Sequence, residues 1–356
     1  MTRLEKARNI LNSKGLDAII VYDPINQKYL TDFEFSDGVV LVTNSNAFLI
    51  TDFRYFEMAE KRAFKEFKIL MPENIMDAIK KIISDEELKK IGFEGGFVSF
   101  GSYVKLKDYY PSVEFEDIGD AFDLARQIKD QYEIDLMQKA QDITDKAFAS
   151  LLKNIKTDMT EIEVAAELEY LMRLEGAGGL AFDTIAVSAD ASALPHGVPR
   201  NVKLKNGFLT LDFGAKYDGY CSDMTRTVVI GKADKDMRLL YNTVLEAQLA
   251  ALEKISIGAE CSDVDKVARD LINSYEQYRG TFGHGLGHSV GLFIHENPRF
   301  SPKYTNHKVR VGEIYTVEPG IYLYGKYGCR IEDMIAIKED GVYNFTHSPK
   351  DLIEII

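Results

Sequence analysis

The first 120 residues alternate between short apolar runs and amphipathic stretches. The runs 18–22, 38–42 and 47–50 are rich in β-branched residues and predict strands, and the polar turn 44–46 joins the last two into a hairpin. Further predicted elements are helices over 4–11, 75–83 and 102–109 and a strand over 91–93. Alternating strands and helices are typical of an α/β module.

A second region follows the charged stretch 121–129, which predicts a bridging helix. Apolar residues over 132–152 recur near helical spacing. Thr160, with Glu163 three residues later, is a capping box that opens another helix. Beyond residue 180 strands dominate, with two more helices predicted around 236–255 and 262–276.

Length and composition narrow the class of protein. A chain of 356 residues exceeds the usual size of one domain, so we predict domains 1–125 and 126–356. A net charge of −13 disfavours a nucleic-acid partner. The charged N-terminus is unlike a signal segment, and the chain lacks an apolar run of ~18 residues, so no membrane partner is expected. Three scattered cysteines predict a reducing cytoplasmic location rather than a disulfide framework.

Two segments of the C-terminal half repeat one order of residues. Each has an acid two residues before a glycine, then a turn, then a second glycine, a cysteine and a second acid. The first copy holds Asp212 and Asp223, and the second holds Glu318 and Glu332. Singly, each acid fits a solvated turn or an ordinary salt bridge. Together they predict a duplicated hairpin that places four carboxylates around one centre, although chance similarity stays an alternative for so short a repeat.

Three of the six histidines cluster at His284, His288 and His295. The glycines between them argue against the helical H-E-x-x-H zinc motif. In a straight strand His288 and His295 would face opposite ways, since they are seven residues apart. A bend over 289–291 would direct both into one cavity.

Four carboxylates and one imidazole form a ligand set that suits Mn²⁺, Co²⁺ or Zn²⁺. The carboxylates carry −4, which one divalent ion reduces to −2 and two ions with a shared hydroxide reduce to −1. A two-metal site that activates a bridging water is therefore the better electrostatic solution. His196 and Arg330 lie near this set in sequence, but they also fit an ordinary loop histidine and a salt-bridge arginine.

At these residues the chain resembles the pita-bread metallopeptidase family, which includes methionine aminopeptidase, aminopeptidase P and prolidase. The segments 182–185, 195–197, 295–296, 318–320 and 330–333 carry the resemblance. Segments 29–31 and 51–55 resemble the creatinase/prolidase-type N-terminal domain, which favours the proline-directed branch. The implied fold class is α+β, with a pita-bread catalytic domain preceded by a smaller α/β creatinase-type domain.

The resemblance also implies a role for each site residue. Two divalent ions per subunit would be held by Asp212, Asp223, His288, Glu318 and Glu332, with Mn²⁺ as the first candidate. The catalytic residues would be His196, His295, Glu318 and Arg330, and the substrate-binding residues His284, Arg299 and Tyr322. A hydroxide bridging the metals would attack the Xaa-Pro bond of short proline-containing peptides, and the enzyme would be a homodimer.

Several alternatives stay open at this point. Within the family, Xaa-Pro dipeptidase competes with aminopeptidase P, and Arg299 is the candidate contact for the carboxylate of a dipeptide. A creatinase-like amidinohydrolase has this architecture without metals. A non-catalytic pita-bread binding protein is the third alternative. The complete set of ligand residues argues against the last two.

Overall fold

The N-terminal unit spans Met1–Arg126 in a computed structural model that describes residues 1–356. Its helices are α1 (Arg3–Lys14), α2 (Pro24–Thr31), α3 (Phe53–Arg62), α4 (Ile75–Asp85), α5 (Phe100–Tyr109) and α6 (Ala121–Arg126). Its strands are β1 (Ala18–Val21), β2 (Gly38–Thr43), β3 (Ala47–Thr51), β4 (Lys68–Leu70), β5 (Lys90–Phe93) and β6 (Glu114–Asp117). They form one mixed sheet in the order β4-β3-β2-β1-β5-β6.

The predicted hairpin is confirmed, because β2 and β3 pair antiparallel. Helices α2 and α3 were not predicted. Asp23 caps α2 ahead of Pro24, and Asp52 caps α3, so both begin at a capping signal rather than at an apolar periodicity.

The second unit spans Gln127–Ile356. Its helices are α7 (Gln131–Asn154), α8 (Glu161–Leu174), α9 (Lys235–Lys254) and α10 (Cys261–Ser274), with 3₁₀ turns at Ala189–Ala193 and Glu276–Tyr278. The first seven strands are β7 (Gly179–Leu180), β8 (Ile185–Ser188), β9 (Gly207–Phe213), β10 (Ala215–Tyr217), β11 (Tyr220–Cys221), β12 (Met224–Ile230) and β13 (Gly287–Ser289). The others are β14 (Glu296–Phe300), β15 (Ile314–Val317), β16 (Gly320–Leu323), β17 (Tyr327–Arg330), β18 (Asp333–Lys338), β19 (Gly341–Asn344) and β20 (Glu354–Ile355).

The two acid-bearing segments fold as the predicted repeat. In the first, β9 and β12 pair antiparallel and enclose the small hairpin β10–β11. In the second, β15 and β18 pair antiparallel and enclose β16–β17. Asp212 lies in β9 and Glu318 directly follows β15, whereas Asp223 and Glu332 lie between the inner hairpins and the returning strands.

The central strands are buried between two helical pairs. Leu209, Leu211 and Phe213 pack into a core with residues of α7 and α8. Phe208, on the opposite face of β9, packs into a core with residues of α9 and α10. This alternation was predicted from the sequence. The capping box of Thr160 and Glu163 is present at the start of α8. No helix in the chain combines the length and the apolarity needed to cross a bilayer.

Candidate metal centre and active site

A cavity of about 600 Å³ lies in the second unit and collects the predicted site residues. Of the eleven, ten line its wall, and they are Asp212, Asp223, His288, Glu318, Glu332, His196, His295, Arg330, His284 and Arg299. Tyr322 is the eleventh; it does not line the cavity but contacts His284 and Arg330, which do. The apolar part of the lining includes Phe182, Ile185, Val198 and Ile294. One cavity therefore brings a cluster of carboxylates together with apolar and basic side chains.

Three ligand candidates lie closest together. One donor atom from each of Asp223, His288 and Glu332 falls within 4.8 Å of the others, and all three residues are buried. Nε2 of His288 also lies 3.6 Å from Oδ2 of Asp223 and 3.5 Å from Oε1 of Glu318. These separations suit a cation between the groups better than direct hydrogen bonds, which are shorter.

His288 has the tautomer that metal coordination requires. Its Nδ1 lies 3.0 Å from the carbonyl oxygen of Ser289, so Nδ1 carries the proton and donates it. Nε2 is then left with its lone pair directed at the carboxylates. Burial lowers the pKa of His288 to about 3, which keeps the ring neutral.

Asp212 gives the clearest sign that a cation belongs here. Nη2 of Arg330 donates to its Oδ2 at 2.6 Å. Its other oxygen, Oδ1, is buried and has no hydrogen-bond donor. Buried polar atoms without partners are rare in folded proteins, and an oxygen-rich cluster of this kind is a site for a divalent ion. The residues present therefore fit a metal.

Two threonines orient the carboxylates from behind. Oγ1 of Thr225 donates to Oε2 of Glu332 at 2.7 Å, and Oγ1 of Thr316 donates to Oε1 of Glu318 at 3.1 Å. Outer partners of this kind fix ligands for metal binding. Sequence reasoning missed both. The available signal was that Thr316 precedes Glu318 by two residues, on the same face of a strand.

Added positive charge would stabilise the ionised form of the buried carboxylates in the cluster. Burial, followed by the charges of neighbouring carboxylates, raises the pKa of Asp223 and of Glu332 well above their usual values. Burial also raises the pKa of Glu318 to about 7. Without cations these groups must take up protons, because several buried like charges cannot all stay ionised. Divalent ions would replace those protons.

The predicted bend in the histidine segment is confirmed. The pairing of β13 with β14 shifts register between His288 and Ser289. The rings of His288 and His295 consequently meet edge to face, with centroids 4.6 Å apart. Partial burial and the charge of Arg299 lower the pKa of His295, so its imidazole is neutral at physiological pH.

The segment that carries His196 is held by a buried carboxylate. Glu161, at the start of α8, accepts hydrogen bonds from the backbone N–H groups of Ser188 and Arg200 at 2.8 and 3.0 Å. The guanidinium of Arg200 donates to the same carboxylate. Because these residues flank the 188–200 segment, Glu161 fixes the loop that presents His196. The sequence alone showed only a helix-start glutamate.

His284 and Tyr322 form a chain with Arg330. Nδ1 of His284 donates to the carbonyl oxygen of Gly285 at 2.8 Å, so its Nε2 accepts from the Tyr322 hydroxyl at 2.9 Å. That hydroxyl also accepts from Nη1 of Arg330 at 2.9 Å. Both ring nitrogens of His284 thus have protein partners. Arg299 lines the cavity and is paired in register with His288.

Comparisons with known proteins give a consistent family. Residues 135–339 match metallopeptidase family M24, and residues 3–128 match the creatinase/prolidase N-terminal domain. The chain is 36% identical to the Xaa-Pro dipeptidase of Pyrococcus furiosus over 99% of both chains. It resembles a solved Xaa-Pro dipeptidase from Bacillus anthracis, with 38% identity, a TM-score of 0.93 and coverage of 99% of both chains. A solved X-Pro aminopeptidase from Thermotoga maritima is 35% identical with a TM-score of 0.92, covering 99% of this chain and 100% of that one.

Proposed function

Because the chain belongs to metallopeptidase family M24 and carries a creatinase/prolidase N-terminal domain, we propose that it hydrolyses the Xaa-Pro bond of short peptides with two divalent ions. One arrangement carries the proposal: Nε2 of His288 lies beside the carboxylates of Asp223 and Glu318, with Glu332 close by. In the same cavity, the buried Oδ1 of Asp212 has no donor. The named dipeptidase and aminopeptidase relatives support the choice of substrate bond.

The proposed division of ligands follows the two hairpins. The family resemblance implies that Asp223 and Glu332, both buried, would be shared between the two ions. Asp212 would complete one site, and His288 with Glu318 the other. Mn²⁺ is the first candidate, and Co²⁺ or Zn²⁺ would also suit oxygen and imidazole donors. When bound, such ions supply Lewis acidity and make a water molecule nucleophilic at neutral pH.

The side chains of the cavity would handle the proton and the oxyanion. Glu318, which lines the cavity, would take a proton from the attacking water and deliver it to the leaving proline nitrogen. His295 and His196 line the cavity and would donate hydrogen bonds to the oxyanion that develops on the scissile carbonyl. Arg330 would keep Asp212 in place.

The length of the preferred peptide depends on Arg299. Its guanidinium lines the cavity and would pair with the C-terminal carboxylate of a dipeptide. In a longer peptide that carboxylate lies further along, so the pairing would be lost. We therefore propose Xaa-Pro dipeptidase as the first activity, with Xaa-Pro aminopeptidase as the second candidate, which the Thermotoga maritima relative supports.

The other two alternatives are less well supported. A creatinase-like amidinohydrolase would not need the five ligands, and a non-catalytic binding protein would not need neutral imidazoles aligned beside them.

The proposal also includes a cytoplasmic homodimer. All three cysteines are buried and unpaired, which supports a reducing compartment, while the dimer follows from the resemblance alone.

A metal-dependence series on a small peptide panel tests the proposal. Metal-depleted protein would be reloaded with Mn²⁺, Co²⁺ or Zn²⁺ and given Xaa-Pro, Xaa-Pro-Xaa and a matched Xaa-Ala dipeptide. We expect metal-dependent turnover of Xaa-Pro and little turnover of Xaa-Ala. Arg299→Met should raise KM for the dipeptide by about tenfold, the loss of one charged hydrogen bond, with a smaller effect on the tripeptide. Failure to cleave either proline peptide with any metal would exclude the proposed activity.

A further inference from the structure

Two site histidines lie near the two ends of the loop that joins β13 to β14. Ser289 and Glu296 face each other as the last cross-strand pair before the loop, which comprises residues 290–295. His288 immediately precedes Ser289, and His295 immediately precedes Glu296. The distance between Ser289 and Glu296 therefore influences the distance between the two imidazole rings.

One ammonium group forms hydrogen bonds with both Ser289 and Glu296. Nζ of Lys129 donates to Oγ of Ser289 at 3.0 Å and to Oε2 of Glu296 at 3.0 Å. The Lys129 and Glu296 side chains are only 1% and 5% exposed. The backbone N–H of Lys129 donates to the carbonyl oxygen of Gly312 at 2.8 Å, so the lysine is itself anchored. We call this arrangement of Lys129, Ser289 and Glu296 the staple.

The glutamate of the staple also shapes the loop that it closes. Oε1 of Glu296 accepts from the backbone N–H of Phe293 at 3.3 Å. A Cβ atom at Gly291 would lie 2.7 Å from the Glu296 carboxylate, so the backbone is packed directly against it. The carbonyl oxygen of Gly291 in turn accepts from the N–H of Cys221 at 2.8 Å. The loop is thereby tied to the segment that leads into Asp223.

Stability alone is a poor explanation for such a pair. Removing an ammonium and a carboxylate from water costs several kcal/mol per ion, and apolar residues of similar volume often serve the fold as well. A buried pair does, however, impose a geometry, because its members must meet to avoid an unpaired buried charge. The benefit of the staple should therefore lie in placing His288 and His295.

We propose that Lys129 and Glu296 are positioning residues that hold His288 and His295 in the geometry needed for turnover. The inference rests on the proposed peptidase function, but the staple can be tested without it. Neither residue lines the cavity, so both would act through the histidine loop and leave substrate binding almost unchanged.

The experiment compares wild type with Lys129→Met, Glu296→Gln and the apolar double variant Lys129→Met/Glu296→Met. The control is Arg310→Met, which breaks a 2.8 Å ion pair between a half-exposed arginine and the buried Glu313 in the same unit. Neither of these residues lines the cavity. Kinetic constants are measured on the Mn²⁺-loaded enzymes with an Xaa-Pro peptide. Hydrogen exchange of the 288–296 segment and thermal unfolding are measured on the metal-free proteins.

We expect Lys129→Met to lower kcat by roughly 10–100-fold with KM within about threefold of wild type, as for other groups that orient ligands. The 288–296 segment should exchange faster in this variant and in the double variant, while α7–α10 keep their protection. The double variant should regain thermal stability but not kcat. Arg310→Met should lose stability while keeping kcat. Glu296→Gln, which keeps the shape, should fall between wild type and Lys129→Met.

Other results would overturn the inference. Recovery of kcat together with stability in the double variant would reduce the staple to a structural role. So would a loss of exchange protection spread evenly over the second unit, or turnover by Lys129→Met within about twofold of wild type. If wild type itself cleaved no proline peptide, the proposed function would fail, and the exchange measurements would still decide whether the staple orders the histidine loop.

Discussion

Arg330 and Asp212 form a buried ion pair in which only one carboxylate oxygen is used. Nη2 of Arg330 lies 2.6 Å from Oδ2 of Asp212, while Oδ1 has no donor. The arginine also donates from Nε to Thr225 at 2.9 Å and from Nη1 to the carbonyl oxygen of Pro195 at 3.3 Å. It thus aligns a candidate ligand, a residue that holds Glu332, and the loop that carries His196.

Arg330→Met should weaken Mn²⁺ binding by about 10–100-fold, because ligands lose affinity when their orienting partners are removed. Arg330→Lys should recover only part of the loss, since a single ammonium cannot reproduce the fork of the guanidinium. Calorimetric titration of metal-depleted protein measures both. Equal affinities for wild type and Arg330→Met would show that Asp212 needs no such support.

Removal of one central carboxylate should have opposite effects on activity and on metal-free stability. Asp223→Asn and Glu332→Gln each remove a proposed shared ligand, so turnover should disappear while the fold is retained. In the metal-free protein the same changes relieve like-charge repulsion. The melting temperature should rise by roughly 2–4 °C, the shift that about 1 kcal/mol gives in a domain of this size.

Asp145→Asn is the control for this prediction. Asp145 is a carboxylate of α7 that accepts from the N–H groups of His347 and Ser348, both at 2.9 Å. Because it has donors rather than competing charges, its substitution should lower the melting temperature. A lower melting temperature for metal-free Asp223→Asn would contradict the crowding of charge in the centre.

The metal-free protein should lose stability above about pH 6.5. A carboxyl group whose pKa is raised by folding stabilises the fold below its ordinary value, 4.5 for Glu318, and loses this contribution as the pH rises through the folded value, about 7. Burial and the neighbouring carboxylates also raise the pKa values of Asp223 and Glu332, so their contributions likewise fall as the pH rises above their ordinary values.

Two histidines act in the opposite direction at lower pH. Burial lowers the pKa of His284 to about 4 and that of His288 to about 3. Their stabilising effect is complete above the ordinary value of 6.5 and is lost as the pH falls towards the folded values. The two trends oppose each other from about pH 4.5 to 6.5, and only the carboxyl trend remains above it. Denaturant unfolding from pH 6.5 to 8 should show the decline, and saturating Mn²⁺ should abolish it.

The family and the fold class predicted from the sequence are confirmed. Both could be predicted because they rest on local signals in the sequence. The apolar runs of β1, β2 and β3 and the spacing of α7 are readable within single windows of the chain. The order of acids and glycines in the two hairpins is equally local. Helices α2 and α3 were missed, although the capping residues Asp23 and Asp52 at their starts are equally local signals.

The supporting contacts of the site could not be predicted in this way. Thr225 meets Glu332 across 107 positions of the sequence, and Lys129 meets Glu296 across 167. Each of these residues is chemically ordinary in its own segment, and only the pairing of distant strands gives it a role. The candidate ligands could therefore be identified from the sequence, whereas the residues that hydrogen-bond to them could be identified only from the structure.

His295 should contribute to turnover rather than to metal binding. Its ring packs edge to face against His288 at 4.6 Å and faces the cavity. Because the loss of one oxyanion donor typically costs 10²–10³-fold in kcat, we expect His295→Ala to lower kcat by about that factor, with KM and Mn²⁺ affinity nearly unchanged. The control is His347→Ala, a largely exposed histidine beside Asp145, which should keep full turnover. A rise in KM at constant kcat would instead assign His295 to substrate binding.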